Sequence, residues 1–154
     1  MEDLGFMGDD YFEDVSVGGV ISAGPYHVTL DEMVAFAEKW DPFPFHVDEA
    51  AGRDSIYGGL IASGEYTMLV KQALIHRLGA NPALIGSLGY DELRYLGPVR
   101  PGDRLTLSVE CTDKRESRGK ADRGVVKYKV TLTNQESEPV LSYVDNILLA
   151  KRDG

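Results

Sequence analysis

Apolar and polar residues follow two different periods along this chain, and the change of period marks the elements that the sequence predicts. Residues 20–28 favour a β-strand, and a Gly-Pro pair at 24–25 interrupts them, which indicates a bulge or an edge position. Thr29, followed by Glu32 three residues later, forms a capping box ahead of apolar residues at helical spacing. We therefore expect a strand and then a short helix that ends near Trp40.

A second helical pattern, over residues 59–78, is apolar around most of its circumference. Small residues occupy its first two turns, polar side chains accumulate only from Lys71 onward, and Gly79 ends the pattern. A helix with so little polar surface is expected to be buried rather than to lie on a surface.

Four further strands are predicted after this helix, because β-branched and aromatic residues partly alternate between turns that contain glycine, proline or charged residues. These strands cover residues 83–95, 105–114, 124–133 and 140–149. A long apolar helix with strands before and after it must be wrapped by their sheet. We therefore expect the α+β class, with a curled, antiparallel five-stranded sheet around a central helix. An open sheet edge would be exposed, so a homodimer or a dimer of dimers is the expected assembly.

The composition limits the classes of function. A chain of 154 residues is expected to form a single domain, residues 1–154, in which the acidic residues 1–12 are an arm. The net charge of −9 argues against nucleic-acid binding, because phosphate neutralisation requires a surplus of Lys and Arg. No apolar run reaches the roughly 20 residues that span a bilayer, and residues 1–10 lack a leader pattern. Cys111 is the single cysteine, which fits a reducing, cytoplasmic location.

The main candidate for chemistry is an acid and an imidazole five residues apart, Asp41 and His46, in a segment with two prolines. Each proline fixes its own φ and disfavours helix at the residue before it, so we expect a stiff, non-helical segment that is irregular as far as Tyr57, with one turn near Asp48. Such a loop can hold a carboxylate and an imidazole at the separation that general acid–base catalysis on water requires. Taken alone, the pair is more often a turn-forming Asp and a structural His.

Gly58 and Gly59 precede the apolar helix and are expected to open it. Glycine lets a ligand approach the backbone closely, and the first helical turn has unpaired N–H groups at the positive end of the helix dipole. A developing oxyanion can bind there, although the same glycines also suit close helix packing. Because no nucleophile elbow surrounds Ser63, its hydroxyl is expected to bond a backbone carbonyl, or else to contact Asp41 or substrate.

Three segments carry a resemblance to a known family. They are Asp41-Pro42-Phe43-Pro44-Phe45-His46-Val47-Asp48, Tyr57-Gly58-Gly59-Leu60-Ile61-Ala62-Ser63-Gly64 and Arg94-Tyr95-Leu96-Gly97-Pro98-Val99-Arg100-Pro101-Gly102-Asp103. The first is similar to a hydratase motif of Asp, two residues, Pro, one residue, His, one residue and Asp. The second resembles the opening of a hot-dog helix, and the third resembles the strand and corner of hotdog acyl-thioester proteins. Over nearly its whole length the chain resembles the MaoC-type dehydratases, the (R)-specific enoyl-CoA hydratase branch of the hotdog superfamily.

This resemblance implies a hotdog fold and the addition or removal of water across the 2,3 double bond of an acyl-CoA or acyl-carrier-protein thioester. It implies catalytic roles for Asp41 and His46, with an activity that is bell-shaped in pH. An ungapped match places the oxyanion-binding glycine on Gly58, with Gly59 as the neighbouring candidate. No cofactor is implied, because coenzyme A enters only as part of the substrate. The three histidines are far apart in sequence and show no metal-ligand spacing, so we expect no metal.

Two positions depart from the family pattern. Phe43 stands where the family often has Asn, which puts the substrate class in question, and Tyr57 stands where His usually precedes the glycine. Together with Phe45, these two aromatic residues are expected to line the acyl pocket.

Two other functions stay open at this point. A hotdog thioesterase would use an acid on the central helix, and Glu65 is the only carboxylate there. A non-catalytic hotdog protein would bind an acyl thioester or a protein partner.

A local basic run is either a solvated hairpin tip or a binding site for the phosphates of coenzyme A. It consists of Lys114, Arg115, Arg118, Lys120 and Arg123.

Overall fold

The structure is a computed structural model that describes residues 10–152, which form a five-stranded antiparallel sheet and four α-helices. The strands are β1 (Val20–His27), β2 (Leu84–Tyr95), β3 (Arg104–Glu116), β4 (Arg123–Thr133) and β5 (Pro139–Ala150). The helices are α1 (Leu30–Trp40), α2 (Pro44–Val47), α3 (Glu49–Asp54) and α4 (Gly64–Ile75). Most of the predicted N-terminal arm, residues 1–9, lies outside the described residues. The predicted α+β class with five strands is confirmed.

The strands are ordered β1-β3-β4-β5-β2, and all neighbouring pairs are antiparallel. Short turns join β3 to β4 and β4 to β5. The two edge strands are β1 and β2. The register of β1 shifts between Ala23 and Tyr26, at the Gly-Pro pair where the sequence predicts a bulge. The other edge, β2, has 12 residues, and its register against β5 shifts at three places.

The sheet packs around α4, whose buried side consists of Tyr66, Val70 and Leu74 with their neighbours. Buried residues of the strands complete this core, namely Leu105, Leu107, Val109, Val130, Leu132, Leu141 and Tyr143. Burial of α4 is less uniform than its sequence predicts. Leu69 is 56% exposed, whereas Lys71, which we expected at the polar end of the helix, is only 3% exposed.

Glu32 joins three elements of the fold. The Thr29 hydroxyl accepts a hydrogen bond from the Glu32 N–H at 3.2 Å, which caps α1 as predicted. The Glu32 side chain does not complete the capping box. Its Oε1 accepts hydrogen bonds from the hydroxyls of Tyr26 and Tyr66, at 2.6 Å each. The carboxylate therefore connects α1 to β1 and α4.

The start predicted for the long helix is wrong. Gly58 and Gly59 do not open it, because α4 begins at Gly64 with Ser63 as its N-cap. The backbone before Ser63 is bonded to other parts of the chain. Ile61 N–H donates to the Phe45 carbonyl at 3.1 Å, and Ala62 N–H donates to the Val99 carbonyl at 2.8 Å. These bonds hold residues 57–63 in a non-helical segment that neither local spacing nor propensity reveals. With 12 residues α4 is the longest helix between residues 10 and 152, and none of these helices is long and apolar enough to cross a membrane.

The expectation of a segment without helix between Asp41 and Asp48 is also wrong. Pro44 begins the one-turn helix α2, because a proline at the first helical position lacks only an N–H that would be unpaired there in any case. The rule for the residue before a proline still holds, since Phe43 has an extended ψ of 143°. Asp48 then caps α3 by accepting the Ala50 N–H at 3.0 Å.

Gly124 on β4 offers a test of how the N-terminal segment is held. A Cβ atom on Gly124 would lie 2.2 Å from the ring of Phe12, which is buried against the sheet beside Cys111. We expect Gly124→Ala to lower the free energy of unfolding by about 1–3 kcal/mol, because neither backbone nor ring can move freely. Urea unfolding followed by circular dichroism measures this change.

Two further variants make this prediction specific. In a Phe12→Ala background, the same Gly124→Ala change should cost close to nothing, because the ring that it meets is gone. Gly86→Ala on β2 is the matched control, since no atom lies within 4 Å of its Cβ position. An equal cost of Gly124→Ala in both backgrounds would contradict the contact.

Candidate active site

Asp41 and His46 face each other across the junction between α1 and α2. Asp41 ends α1, with its N–H bonded to the Ala37 carbonyl at 2.9 Å, and His46 lies on α2. Their Oδ2 and Nε2 atoms are 3.7 Å apart. The His46 side chain is 8% exposed and that of Asp41 is 24% exposed, so solvent reaches the carboxylate more easily than the ring. A separation of this size is too long for a good direct hydrogen bond but allows both groups to contact one small molecule.

The protonation of the imidazole nitrogens follows from the partner of Nδ1. The His46 Nδ1 atom lies 2.8 Å from the carbonyl oxygen of Ile61, and a carbonyl can only accept a hydrogen bond. Nδ1 therefore carries a hydrogen, and in the neutral ring Nε2 presents its lone pair to Asp41. The ring is also held by Phe45, whose centroid lies 4.5 Å away in an edge-to-face arrangement.

Ser63 connects the acid to the N-terminus of α4. Its hydroxyl donates to Asp41 Oδ2 at 2.7 Å and accepts the N–H of Glu65 at 3.2 Å. Ser63 is fully buried, so its hydroxyl fixes one carboxylate oxygen. Of the alternatives that the sequence left open for this side chain, contact with Asp41 is the one that the structure contains.

The two glycines differ in what their N–H groups bond. Gly58 has a φ of +65° and donates its N–H to the Ser55 carbonyl at 3.1 Å. Within residues 10–152, no hydrogen bond involves the N–H of Gly59. The glycines lie in the segment before α4, so their N–H groups are not part of its first turn. The free N–H makes Gly59 the better placed of the two to bind an oxyanion in this conformation.

Arg100 is a residue of this region that sequence reasoning did not single out. Its Nη2 donates to the Tyr57 carbonyl at 2.6 Å, and its Nη1 lies 3.1 Å from the position of a Cβ on Gly59. Asp103, which is 8% exposed, holds the Arg100 backbone by accepting its N–H at 2.9 Å. Arg100 therefore fixes the glycine turn and places a positive charge beside it. The only signal for it was its place in the third family-like segment.

Aromatic side chains line one side of the pair. Phe43 and Phe45 stack with centroids 5.9 Å apart, and Phe45 lies 5.5 Å from Tyr57. Phe43 is 59% exposed, so this strip begins at the protein surface. The structure thus places Phe43 and Phe45 next to His46, and Tyr57 on the other side of this strip, against Phe45.

Other candidates lie elsewhere or are engaged. Glu65 is exposed on the first turn of α4, and its carboxylate makes no hydrogen bond to the pair among the described residues. Lys114 of the basic run donates to the carbonyls of Phe12 and Val15 at 3.0 and 2.8 Å, which ties it to the N-terminal segment. In the part of the chain that the structure describes, no group of three His, Cys, Asp or Glu residues could hold a metal ion.

Two cavities lie outside this pair. One, of about 740 Å³, lies between α1 and α3, and the other, of about 550 Å³, lies beneath the C-terminal half of α4. Neither is lined by Asp41 or His46. The pair is therefore not at the bottom of either cavity.

Comparison with known proteins places this arrangement in a family. Residues 15–134 match the family described as the MaoC like domain. The crystal structure of the MaoC-like dehydratase from Rhodospirillum rubrum superimposes with a TM-score of 0.84 and 31% identity, over 92% of this chain and 97% of that one. The protein YdeM of Bacillus subtilis is 26% identical over 140 residues, which are 90% of this chain and 98% of its own. Mesaconyl-CoA hydratase of Cereibacter sphaeroides is 41% identical over 69 residues, which are 45% of this chain and 20% of that protein. The chain belongs to the MaoC-like dehydratase family of the hotdog superfamily.

Proposed function

We propose that this protein is a hydro-lyase that adds water to, or removes it from, the 2,3 double bond of an acyl-CoA or acyl-carrier-protein thioester. The observation that carries the proposal is the 3.7 Å approach of Asp41 Oδ2 to the Nε2 of a histidine whose Nδ1 is committed to Ile61. Membership of the MaoC-like family supports a hydratase or dehydratase activity in general, and a partial relative is a mesaconyl-CoA hydratase.

In the proposed reaction, one water molecule lies between the two side chains. The carboxylate of Asp41 takes a proton from it, while His46 Nε2 orients it by accepting its other hydrogen. The hydroxide adds to C3, and the proton is returned to C2. Ser63 donates one hydrogen bond to Oδ2 of Asp41, which leaves a second lone pair on Oδ2 for the water that lies between Oδ2 and His46 Nε2. No redox cofactor takes part, and coenzyme A is only the carrier of the acyl group.

Negative charge develops on the thioester oxygen in this reaction and needs a donor. We propose the N–H of Gly59, with Gly58 as the alternative after a rotation that breaks its bond to Ser55. One such donor contributes about 3 to 4 kcal/mol to stabilisation of the transition state. The aromatic strip of Phe43, Phe45 and Tyr57 would contact the acyl group.

Substitution of either member of the pair tests the proposal. Asp41→Asn and His46→Gln should each lower the rate of crotonyl-CoA hydration by about 10²–10⁴-fold, because the first removes the group that takes the proton and the second removes the group that orients the water. The rate is measured from the absorbance of the conjugated double bond, and circular dichroism checks that both variants are folded.

Glu65→Gln is the matched control, since it neutralises a nearby carboxylate that has no role in this mechanism. It should hydrate crotonyl-CoA at the wild-type rate. Full hydration by either pair variant would refute the assignment. Thioester hydrolysis that depends on Glu65 would favour a thioesterase, and calorimetric binding of crotonyl-CoA without turnover would favour a binding protein. A panel of enoyl-CoA thioesters of different length, branching and charge, including mesaconyl-CoA, then defines the acyl group.

We further propose that a second copy of this chain pairs with the β2 edge, giving a homodimer or a dimer of dimers. Large apolar side chains are exposed on and just after this strand: Leu88, Tyr95 and Leu96, at 59%, 50% and 53%. A long unpaired edge with this much apolar surface is unfavourable in water. Neither of the two cavities contains Asp41 or His46, which also suits a substrate pocket that a neighbouring protomer completes.

Leu88→Arg tests this assembly. It should convert the dimer to a monomer, because a buried unpaired charge is strongly unfavourable at an interface. Val17→Arg is the control, since Val17 is 58% exposed but precedes β1 at the opposite edge. Sedimentation equilibrium reports the mass. A monomeric wild-type protein, or an unchanged mass for Leu88→Arg, would rule out this interface.

The proposed setting is the cytoplasm. Its support is the lone Cys111, which leaves the chain without an internal disulfide.

A further inference from the structure

A separate cavity of about 550 Å³ lies between the C-terminal half of α4, the segment before β1 and the inner face of the sheet. Its walls are mainly apolar and include Ile75, Leu78, Val109, Val130, Ile147 and Leu149. Its volume is within the range of small-molecule sites. Lys71 lies eight residues beyond Ser63, about 12 Å along α4, so this cavity is distinct from the Asp41–His46 site.

A buried amine lies in the wall of this cavity. Lys71 is 3% exposed, and its Nζ contacts Gln72 Oε1 at 3.0 Å and the Tyr90 hydroxyl at 3.3 Å. Within residues 10–152 no carboxylate lies close enough to Lys71 for an ion pair. Two acceptors for three N–H donors leave the third N–H without a hydrogen-bond acceptor, and the ring centroids of Tyr90 and Tyr143 lie 5.2 and 5.3 Å from Nζ. This is unusual for a lysine, which is seldom buried unless it is paired.

The surroundings of Lys71 make its uncharged form more accessible than that of an exposed lysine. Burial lowers the pKa of the Lys71 ammonium group, and the negative charge of Asp145 offsets part of this effect. Burial raises the pKa of the Tyr90 hydroxyl, so that it remains a proton donor near neutral pH. Burial also raises the pKa of Asp145, whose carboxylate accepts a hydrogen bond from Ser87 at 2.9 Å. The uncharged fraction of this amine is a nucleophile, and the Tyr90 hydroxyl beside it is an acid in reach.

We propose that Lys71 forms an imine with an apolar aldehyde or ketone that binds in this cavity, with Tyr90 as the proton donor. The Nζ lone pair adds to the carbonyl carbon and gives a carbinolamine. The Tyr90 hydroxyl protonates the departing oxygen, which leaves as water, and the nitrogen returns its proton to the phenolate. The net change is amine plus carbonyl compound to imine plus water, and no oxidant or reductant is required.

The cavity selects the kind of carbonyl compound. Asp10, Asp14 and Asp145 contribute carboxylates to its lining, against the single amine of Lys71. Anionic compounds such as glyoxylate are therefore disfavoured, whereas an uncharged aliphatic aldehyde fits both the charge and the apolar walls. This ligand class is independent of the acyl thioester proposed for the Asp41–His46 site.

Reductive trapping tests the proposal. The full-length protein is incubated with octanal and sodium cyanoborohydride, which reduces an imine to a stable secondary amine, and the modified lysines are located by peptide mass spectrometry. Lys71 should be modified about tenfold faster than the exposed Lys39 and Lys120, despite its burial. Glyoxylate should not give this preference. Equal or slower modification of Lys71 would overturn the proposal.

Competition and variants separate an imine-forming site from a merely structural lysine. An excess of 1-octanol, which can fill the cavity but forms no imine, should protect Lys71 and leave Lys39 unaffected. Tyr90→Phe keeps the ring and should slow the modification of Lys71 by about 10²-fold. Asp41→Asn should leave it unchanged, which keeps this test apart from the hydratase proposal. Labelling that octanol does not reduce, or that Tyr90→Phe does not slow, would argue against the site.

Discussion

The position of His46 depends on one reciprocal contact between α2 and the segment that precedes α4. Ile61 gives its N–H to the carbonyl of Phe45 and accepts the Nδ1 hydrogen of His46 through its own carbonyl. A buried imidazole needs such a partner, because an unpaired polar group away from water is costly. The contact exists only if residues 57–63 stay out of the helix. The short α4, the tautomer of His46 and the approach of Asp41 to Nε2 all follow from that constraint.

Much of the fold could be predicted from the sequence because its strands alternate and their turns contain glycine and proline. The beginning of α4 could not, because helical spacing continues through residues 59–63 while bonds to Phe45 and Val99 override it. The burial of Lys71 could not be predicted from the sequence either. A charged residue near a helix end is normally exposed, and the packing of the Tyr90 and Tyr143 rings around Lys71 Nζ is a tertiary contact that the sequence does not indicate.

In the candidate site, too, the features set by residues close in sequence could be predicted, and those set by tertiary contacts could not. Asp41 and His46 were found because they are close in sequence and differ in chemistry, and a stiff connection between them follows from two prolines. Which glycine offers a free N–H depends on a single bond from Gly58 to Ser55, which no local pattern indicates. Arg100 comes from a corner more than 40 residues away, so its bond to Tyr57 is a property of the folded chain alone.

The Glu32 carboxylate, shared by two phenols from β1 and α4, has a consequence for how the family can diverge. Either Tyr26 or Tyr66 can be exchanged for phenylalanine and still leave the acid one partner. Exchange of Glu32 for an apolar residue would remove the hydrogen-bond acceptor of both hydroxyls at once. The Tyr66 side chain is buried, so its hydroxyl could not bond to solvent instead. Related sequences should therefore vary more freely at either tyrosine than at the acid. Where position 32 is not an acid, positions 26 and 66 should both have changed as well.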